Sequence, residues 1–282
     1  MISGKNQKRD QESLERLGGV KSDMREYVDY HIHSKFSDGK LGLDEIVKYM
    51  ISKNVSIISI TDHNTIKAYH NEENDYDIKI ISGVEVDVNF GFGVQLLCYD
   101  FDIHDEAINK KLGYIHSQRM IKCARLIKKM RLIGIDINVH DNFYDNIHDF
   151  DYICKCILNH GIGNSIDEVK EKYFVPGAEL YYDIPVVDTK ECIKMFKKAG
   201  GKVVLAHPGR ISEDINVIIA VLNELIGLGL DGIECYHPDH SESLTKHLVA
   251  IARNNNMIIT GGSDMHGINT NYNIKKDKVH CF

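Results

Sequence analysis

Apolar, strand-like runs of this chain repeatedly end in a histidine or a carboxylate. Such side chains stand at or just after nearly all of these ends: His31 and His33, Asp62 and His63, Glu85, His207, His237, and Asp264 with His266. Helix-like segments separate most of the runs, and this alternation predicts a mostly parallel sheet. In an α/β barrel the carboxyl ends of the strands meet at one face. The pattern therefore predicts one polar site assembled from many strands.

The first run, Asp29–His33, shows the arrangement on its smallest scale. Side chains two apart on a strand share a face, so Val28, Tyr30 and Ile32 are predicted on one face and both histidines on the other. Two imidazoles about 7 Å apart along a strand can converge on one metal ion. The alternative is a half-buried strand whose polar residues face water. The later strand ends favour the metal.

Bulk composition excludes several classes of protein. With 282 residues, 43% hydrophobic and 27% charged, the chain suits one large α/β domain or two smaller ones. Its net charge of -7 argues against a general DNA-binding surface, although bound divalent ions would still admit an anionic substrate. No apolar run has the length of a membrane span, and the N-terminus lacks the apolar core of a secretory signal. Seven cysteines without a CxxC pair predict reduced thiols and a cytoplasmic location.

A long insertion interrupts the alternation of strands and helices. Residues 105–133 are basic and helical in pattern, and regular alternation resumes only at Thr189. About seven strands with short connections favour a barrel over an open sheet. The predicted division is a polar arm at 1–24, a barrel at 25–101 and 189–282, and an inserted, mainly helical cap subdomain at 102–188.

The donor types at the strand ends indicate which metals are suitable. Imidazoles and carboxylates without cysteine suit manganese, zinc or iron rather than a structural zinc. There are more donors than one ion needs. We therefore predict two or three divalent ions, with one carboxylate shared between two of them.

Five motifs, in this order, resemble those of the PHP family, the polymerase and histidinol phosphatase family. They are His31-x-His33, Thr61-Asp62-His63, Gly83-Val84-Glu85, Ala206-His207-Pro208 and Gly262-Ser263-Asp264-Met265-His266. The resemblance covers about residues 27–101 and 189–267. It is greatest to bacterial PHP phosphoesterases with an inserted cap, some of which act on nucleotides or RNA ends. It implies a distorted (βα)7 TIM-like barrel of the PHP type with up to three metals.

The resemblance also implies roles for the matching positions. The implied metal ligands are His31, His33, Glu85 and Asp264 for a first ion, Glu85 and His207 for a second, and Asp38, His63 and His266 for a third. Asp29 and Asp62 are expected to orient ligand imidazoles from behind.

Two positions depart from the family pattern. Relatives usually place a metal-binding histidine on strand four, where this chain has Gln95. An amide oxygen is a poorer ligand than imidazole for manganese or zinc, so we expect Gln95 to stand beside the ligands and the second site to be weak. The stretch His148–Tyr152 is acidic where nucleotide-hydrolysing relatives often carry an arginine and a histidine. This difference weakens the expectation of a nucleotide substrate.

Three further residues are candidates for contact with substrate, and a fourth would support one of them. Arg210 lies just before a predicted helix, where backbone N–H groups and a guanidinium suit phosphate. Arg119 on the basic helix is a second candidate for the phosphate. His240 is a candidate general acid for the leaving alkoxide, with His237 supporting it. The alternative for all four is an ordinary solvated or hydrogen-bonded role.

The function predicted from these observations is metal-dependent hydrolysis of a phosphate ester by a metal-bound hydroxide. The expected substrate is a small phosphorylated metabolite, with a short nucleotide or RNA end as a second candidate, and no membrane partner. One alternative is a related amidohydrolase-like barrel that cleaves a C–N bond. Another is a degenerate PHP domain that binds metal or a partner without turnover, which Gln95 would favour.

Overall fold

The computed structural model describes residues 26–70, 76–90, 94–135, 150–181, 186–268 and 273–282. The predicted arm at 1–24 and the acidic stretch before Phe150 lie outside these ranges. Ten strands are described, with these bounds: β1 Tyr27–Ile32, β2 Val55–Ile60, β3 Lys79–Ile81, β4 Gly83–Asn89, β5 Gln95–Tyr99, β6 Val187–Asp188, β7 Lys202–Leu205, β8 Gly232–Tyr236, β9 Ile258–Gly261 and β10 Ile274–Lys275.

Seven α-helices are described within the same ranges. They are α1 Leu43–Ser52, α2 Glu106–Leu132, α3 Phe150–Asn159, α4 Ile166–Tyr173, α5 Thr189–Lys198, α6 Ile215–Leu228 and α7 Glu242–Asn254. The sequence pattern predicts helices at about 43–53, 105–133, 151–159, 165–173, 189–199, 213–227 and 242–254. The observed helices lie within one or two residues of these segments, because helical spacing of apolar residues is a strong signal over a long segment. The sequence also predicts Ser212 as the cap of α6, and this is wrong: the side chain of Asp214 accepts from the backbone N–H of Asn216. None of the described helices has the length and apolarity to cross a membrane.

The strands form two sheets, in the orders β10-β1-β2-β3 and β6-β4-β5-β7-β8-β9. Most pairs are parallel, as the alternation predicts, but β5 runs antiparallel to both β4 and β7. Reversing β5 places its first residue, Gln95, opposite Asp87 near the carboxyl end of β4. Gln95 therefore reaches the strand-end edge from the start of its strand.

Two isolated bridges join the two sheets. Ile32, at the end of β1, bridges to Met265, which follows β9. His63, which follows β2, bridges to Glu85 in β4. Both bridges involve or adjoin residues of the predicted site. The result is a mixed α/β fold with largely parallel sheets, consistent with a barrel of the PHP type.

The sequence pattern predicts one continuous third strand from Ile78 to Glu85, and this is wrong. The structure ends β3 at Ile81 and begins β4 at Gly83, in the other sheet. Glu85 is consequently the third residue of β4 rather than a strand-end residue. The run of residues carries no sign of this break, because both of its parts are rich in β-branched side chains.

The predicted alternation along β1 is also wrong at its end. Val28 and Tyr30 pack inside with Leu97, whereas Ile32 packs with the cluster around helix α1. The pairing register between β1 and β2 shifts between Asp29 and Ile32. A shift of one residue moves side chains to the opposite face of a strand, so the irregularity separates Ile32 from the other two.

A second apolar cluster lies apart from the strands. It contains buried side chains from the last turns of α2, from α3 and from α4: Leu126, Ile127, Met130, Ile135, Ile153, Cys154, Ile157, Val169, Phe174 and Leu180. Residues of this cluster all fall in the segment predicted as an insertion.

Candidate metal centre

Four donor atoms from three separate segments, the end of β1, β4 and the loop after β9, converge at the strand-end edge. The Nε2 atoms of His31 and His33 lie 3.1 Å apart. The Glu85 Oε2 atom is 3.5 Å from His31 Nε2 and 3.4 Å from His33 Nε2. The Asp264 Oδ1 atom is 3.4 Å from His31 Nε2 and 3.0 Å from His33 Nε2. All four side chains are buried, and none of these distances exceeds the reach of a shared small cation.

A second group forms around the Asp38 carboxylate. Asp38 Oδ1 lies 3.2 Å from His33 Nδ1, and Asp38 Oδ2 lies 3.4 Å from His63 Nε2 and 3.2 Å from His266 Nε2. His63 also contacts Glu85: His63 Nδ1 lies 3.0 Å from Glu85 Oε2. Asp38, His63 and His266 form, together with His33, a four-member group with the geometry to hold an ion.

A third group contains His31, Glu85 and His207, with 2.8 Å between His207 Nε2 and Glu85 Oε1. His207 follows β7 in a backbone conformation with φ of 22°, and Asp264 follows β9 with φ of 51°. Non-glycine residues seldom adopt positive φ, and those that do are often found at functional sites. Gly262 lets the segment that carries Asp264 lie against β1, because a Cβ atom at position 262 would collide with the Cβ atom of His31.

Opposing charges set the ionisation of these groups. Burial alone would lower the pKa of His33, but the neighbouring Asp38 carboxylate helps to raise it to about 9. Burial alone would raise the pKa of Glu85, but His63 and His31 hold it well below its usual range. The carboxylates are therefore ionised. A cation could replace the imidazole protons, because a histidine must be deprotonated to bind a metal.

Glu234 is a site residue that the sequence analysis missed. It lies in the middle of β8, is fully buried, and its Oε1 is 2.9 Å from His31 Nδ1. Its Oε2 accepts a 2.7 Å hydrogen bond from the backbone N–H of His207. The available signal was a single carboxylate within the otherwise apolar strand Gly232–Tyr236, three residues before His237.

The role predicted for Asp29 and Asp62 is wrong in its detail. Asp29 accepts from the backbone N–H groups of His31 and Ser263, and burial raises its pKa to about 6. Asp62 accepts from the backbone N–H and hydroxyl of Ser34 and from the hydroxyl of Ser37. Both carboxylates thus fix the backbone and loops that carry the ligands rather than an imidazole ring.

Gln95 stands beside the candidate ligands and takes part in a polar network. Its amide donates to Asp87 Oδ1 at 2.8 Å and lies 3.4 Å from His63 Nδ1. Asp87 Oδ2 accepts from Asn64 at 2.7 Å and also pairs with Arg119. Arg119 is 7% exposed and brings helix α2 to the edge of the site. Asp87 and Asn64 were not identified from the sequence.

The loops after β7 and β8 hold the other predicted substrate contacts. Arg210 Nη1 lies 2.8 Å from Asp264 Oδ2, and its Nε donates to Asp239. His237 is buried, its Nδ1 accepts from the backbone of Asp239, and its Nε2 is 3.4 Å from Asp264 Oδ2.

The role of His240 as a general acid is contradicted by its hydrogen bonds. Its Nε2 accepts from the backbone N–H of Gly209, and its Nδ1 is 3.1 Å from the carbonyl oxygen of Cys235. Burial lowers the pKa of His240. The ring is therefore neutral with its proton on Nδ1, so Nε2 has no proton to transfer.

A family model described as the PHP domain matches residues 29–259. The chain belongs to the PHP domain family. This confirms the family assigned from the five motifs.

Curated relatives and solved structures are similar to this chain at low sequence identity. The chain is 23% identical over 255 residues to the phosphoribosyl 1,2-cyclic phosphate 1,2-diphosphodiesterase of Eggerthella lenta, which covers 85% of this chain and 94% of that protein. It is 23% identical over 253 residues to a 5'-3' exoribonuclease of Haemophilus influenzae, covering 86% and 91%.

Two solved structures give the same result for the fold. One is described as an amidohydrolase from Chromobacterium violaceum with bound sulfate and no metal, with a TM-score of 0.72, 21% identity, and coverage of 89% of this chain and 91% of that one. The other, from Bifidobacterium adolescentis, is described as a metal-dependent phosphoesterase, with a TM-score of 0.66, 23% identity and the same coverages. Family membership, the phosphodiester-cleaving relatives and the candidate metal clusters together support phosphoester hydrolysis as the activity class of this chain.

Proposed function

We propose that this protein is a metal-dependent phosphoester hydrolase whose ions lie at the strand-end edge of a closed, distorted (βα)7 barrel. The supporting observation is the spacing of the four atoms on His31, His33, Glu85 and Asp264, which ranges from 3.0 to 3.5 Å. Four donors about 2.1 Å from one ion would stand about 3.4 Å apart in a tetrahedron. The donor set therefore fits a first divalent ion of the manganese, zinc or iron type.

Two further ions have donors available. Asp38, His63 and His266 would hold one of them, and Glu85 with His207 would hold the other. For the ion held by Glu85 and His207, no further described side chain is free of the other ion sites, and the amide nitrogen of the neighbouring Gln95 donates to Asp87. When bound, divalent ions would lower the pKa of a water molecule and neutralise phosphoryl oxygens.

The remaining site residues would bind the phosphate and orient the ligands. Arg210 contacts Asp264 and Arg119 contacts Asp87, and a phosphate would replace the carboxylate as the partner of each guanidinium. His237 would orient Asp264 rather than supply a proton. Its Nδ1 accepts a backbone hydrogen bond, so the single proton of the neutral ring lies on Nε2, 3.4 Å from Asp264 Oδ2.

The segment 102–188 would act as a cap that selects the organic part of the substrate. Its support is the separate apolar cluster between α2, α3 and α4, together with Arg119, which connects α2 to the site. The barrel would then consist of 25–101 and 189–282, as the sequence division predicts.

The substrate is either a small phosphorylated metabolite or the end of an RNA chain, and a lysine-rich cleft favours RNA. This cleft of about 780 Å³ lies between α2 and α5. Five lysines line it, at positions 110, 111, 190, 194 and 198, together with the carboxylates of Asp105, Asp188 and Glu191. Glu191 pairs with Lys111, and the lining as a whole is net positive. Lys190 lies at one end of the cleft and follows Thr189 in the chain. The hydroxyl of Thr189 donates to the backbone carbonyl of Asn89 at the end of β4. A strand with its 5' end at the metals would find positive charge along this cleft.

The test is metal analysis of the purified protein followed by an ester screen with added Mn²⁺. We expect bound divalent metal and hydrolysis of phosphate esters that chelation abolishes. Comparing a 5'-phosphorylated oligoribonucleotide with a mononucleotide would distinguish the two substrate classes. Charge reversal by Lys194→Glu should impair only the oligonucleotide. Metal-dependent turnover of a C–N substrate alone, or metal binding without any turnover, would contradict the proposal.

A further inference from the structure

The two oxygens of Glu234 serve two different segments of the site. Oε1 is 2.9 Å from His31 Nδ1, and Oε2 accepts the 2.7 Å hydrogen bond from the backbone N–H of His207. Glu234 is fully buried in β8, where both contacts are shielded from water.

The contact with His31 fixes the protonation pattern of that ring. A carboxylate accepts only, so His31 Nδ1 carries the proton and donates it to Glu234. The lone pair of the ring is then on Nε2, the atom that faces His33, Glu85 and Asp264. A carboxylate that orients a ligand histidine in this way also makes it a stronger donor.

The contact with His207 stabilises a backbone conformation that is costly by itself. His207 has φ of 22° and ψ of 64°, in a region that non-glycine residues seldom adopt. Such a conformation persists only when surrounding contacts enforce it. The bond to Glu234 is one such contact, and it keeps His207 Nε2 within 2.8 Å of Glu85.

We propose that Glu234 is a positioning residue that couples the first and second ion sites. It fixes the ring of a ligand of the first site and the backbone of a ligand of the second. This inference rests on the proposed function, because it assigns Glu234 a role toward the ions. It predicts that one substitution weakens metal binding at both sites without removing any ligand.

Two substitutions separate the two contacts. In Glu234→Gln the amide oxygen can still accept from His31, but the NH₂ group faces the His207 N–H, so two donors oppose each other. In Glu234→Ala both contacts are lost. Thr260→Val is the matched control, because Thr260 pairs with Glu234 across β8 and β9, is equally buried and has no described hydrogen bond to His31.

The experiment is titration of the metal-free full-length proteins with Mn²⁺ by calorimetry and with Co²⁺ by visible absorption. For Glu234→Gln we expect roughly 10-fold weaker binding at the second site and a smaller loss at the first. For Glu234→Ala we expect roughly 10- to 100-fold weaker binding and an altered Co²⁺ spectrum, consistent with loss of an orienting contact. Thr260→Val should titrate like the parent.

Glu234→Gln decides the outcome, since it preserves side-chain volume, and near-ultraviolet circular dichroism checks its fold. Parental affinities and an unchanged Co²⁺ spectrum in this variant would overturn the inference. Its failure to fold would overturn it as well, because Glu234 would then serve the fold rather than the ions. Absence of metal binding by the parent itself would instead contradict the proposed function.

Discussion

The strand-end edge and the second apolar cluster are both buried, but different forces hold them. At the edge, imidazoles and carboxylates from six segments lie at hydrogen-bond distances, and each ligand is held by a specific partner such as Glu234. In the cluster between α2, α3 and α4, side chains such as Ile157 and Phe174 pack without directional bonds. The first region requires exact partners, whereas the second requires only volume and apolarity.

This difference separates chemistry from selectivity. Metal-binding geometry tolerates little displacement, so it is built on strands and fixed by buried carboxylates. A packed helical segment can change its surface while retaining its core. We therefore expect substitutions at the edge to affect turnover with little loss of fold, and substitutions in the cluster to do the reverse.

The largest expected effect comes from His31→Ala. This change removes one of the four donors that surround the first ion site but no apolar core volume. Turnover of a phosphate ester should fall by at least about 10³-fold, because the ion activates the water. Circular dichroism and turnover measured on the same sample should show a folded, inactive protein. Parental turnover in a folded, metal-depleted variant would refute the assignment of the first ion.

Ile157→Ala should have the opposite effect. Ile157 is fully buried in the second apolar cluster, and deleting its side chain should cost about 2–5 kcal/mol of stability there. Urea unfolding and hydrogen exchange would measure the loss, with Ile157→Val as a milder control. Hydrolysis of a small ester should persist under native conditions. A parallel collapse of metal affinity would show that the two regions are not separable.

Asp29→Asn tests the electrostatic cost of the edge in the metal-free protein. Burial raises the pKa of Asp29 from 3.8 to about 6, so the folded state favours the protonated carboxyl. Ionisation of Asp29 therefore destabilises the folded state. This effect develops as the pH rises from about 4 to about 6, and amounts to at most about 3 kcal/mol above that range.

The asparagine variant should gain that stability at pH 7 and lose the advantage below about pH 4, since its oxygen can still accept from His31 and Ser263. Urea unfolding in a chelator at several pH values is the measurement. A difference between the proteins that does not vary with pH would exclude this cause.

The smallest effect is expected from Gln95→His. An imidazole is a stronger donor than an amide oxygen, so the second site should bind Mn²⁺ roughly 10-fold more tightly. Calorimetric titration with and without phosphate would measure this. Equal, tight occupancy in the parent without phosphate would show that Gln95 is not a weakening substitution, and the alignment of β5 would need revision.

Local patterns were sufficient to predict the helices and the segments that supply ligands. Helix α7, for example, was predicted at its observed bounds, since its apolar spacing and flanking residues all lie within one segment. The predictions failed where two segments had to be compared. The break at Ser82 and the register shift in β1 depend on which strand lies alongside, and no local pattern encodes a neighbour.

The sequence by itself determined the family, the alternation of strands and helices, and the candidate donor residues His31, His33, Glu85 and Asp264. These follow from motifs of adjacent residues, which survive without knowledge of the fold. Only the tertiary structure decided the supporting contacts. Glu234 hydrogen-bonds to His31 and His207, Asp29 and Asp62 accept from backbone N–H groups, and Asp87 accepts from the amide nitrogen of Gln95. Each of these contacts joins residues distant in sequence, so it exists only once β-strand pairing brings them together.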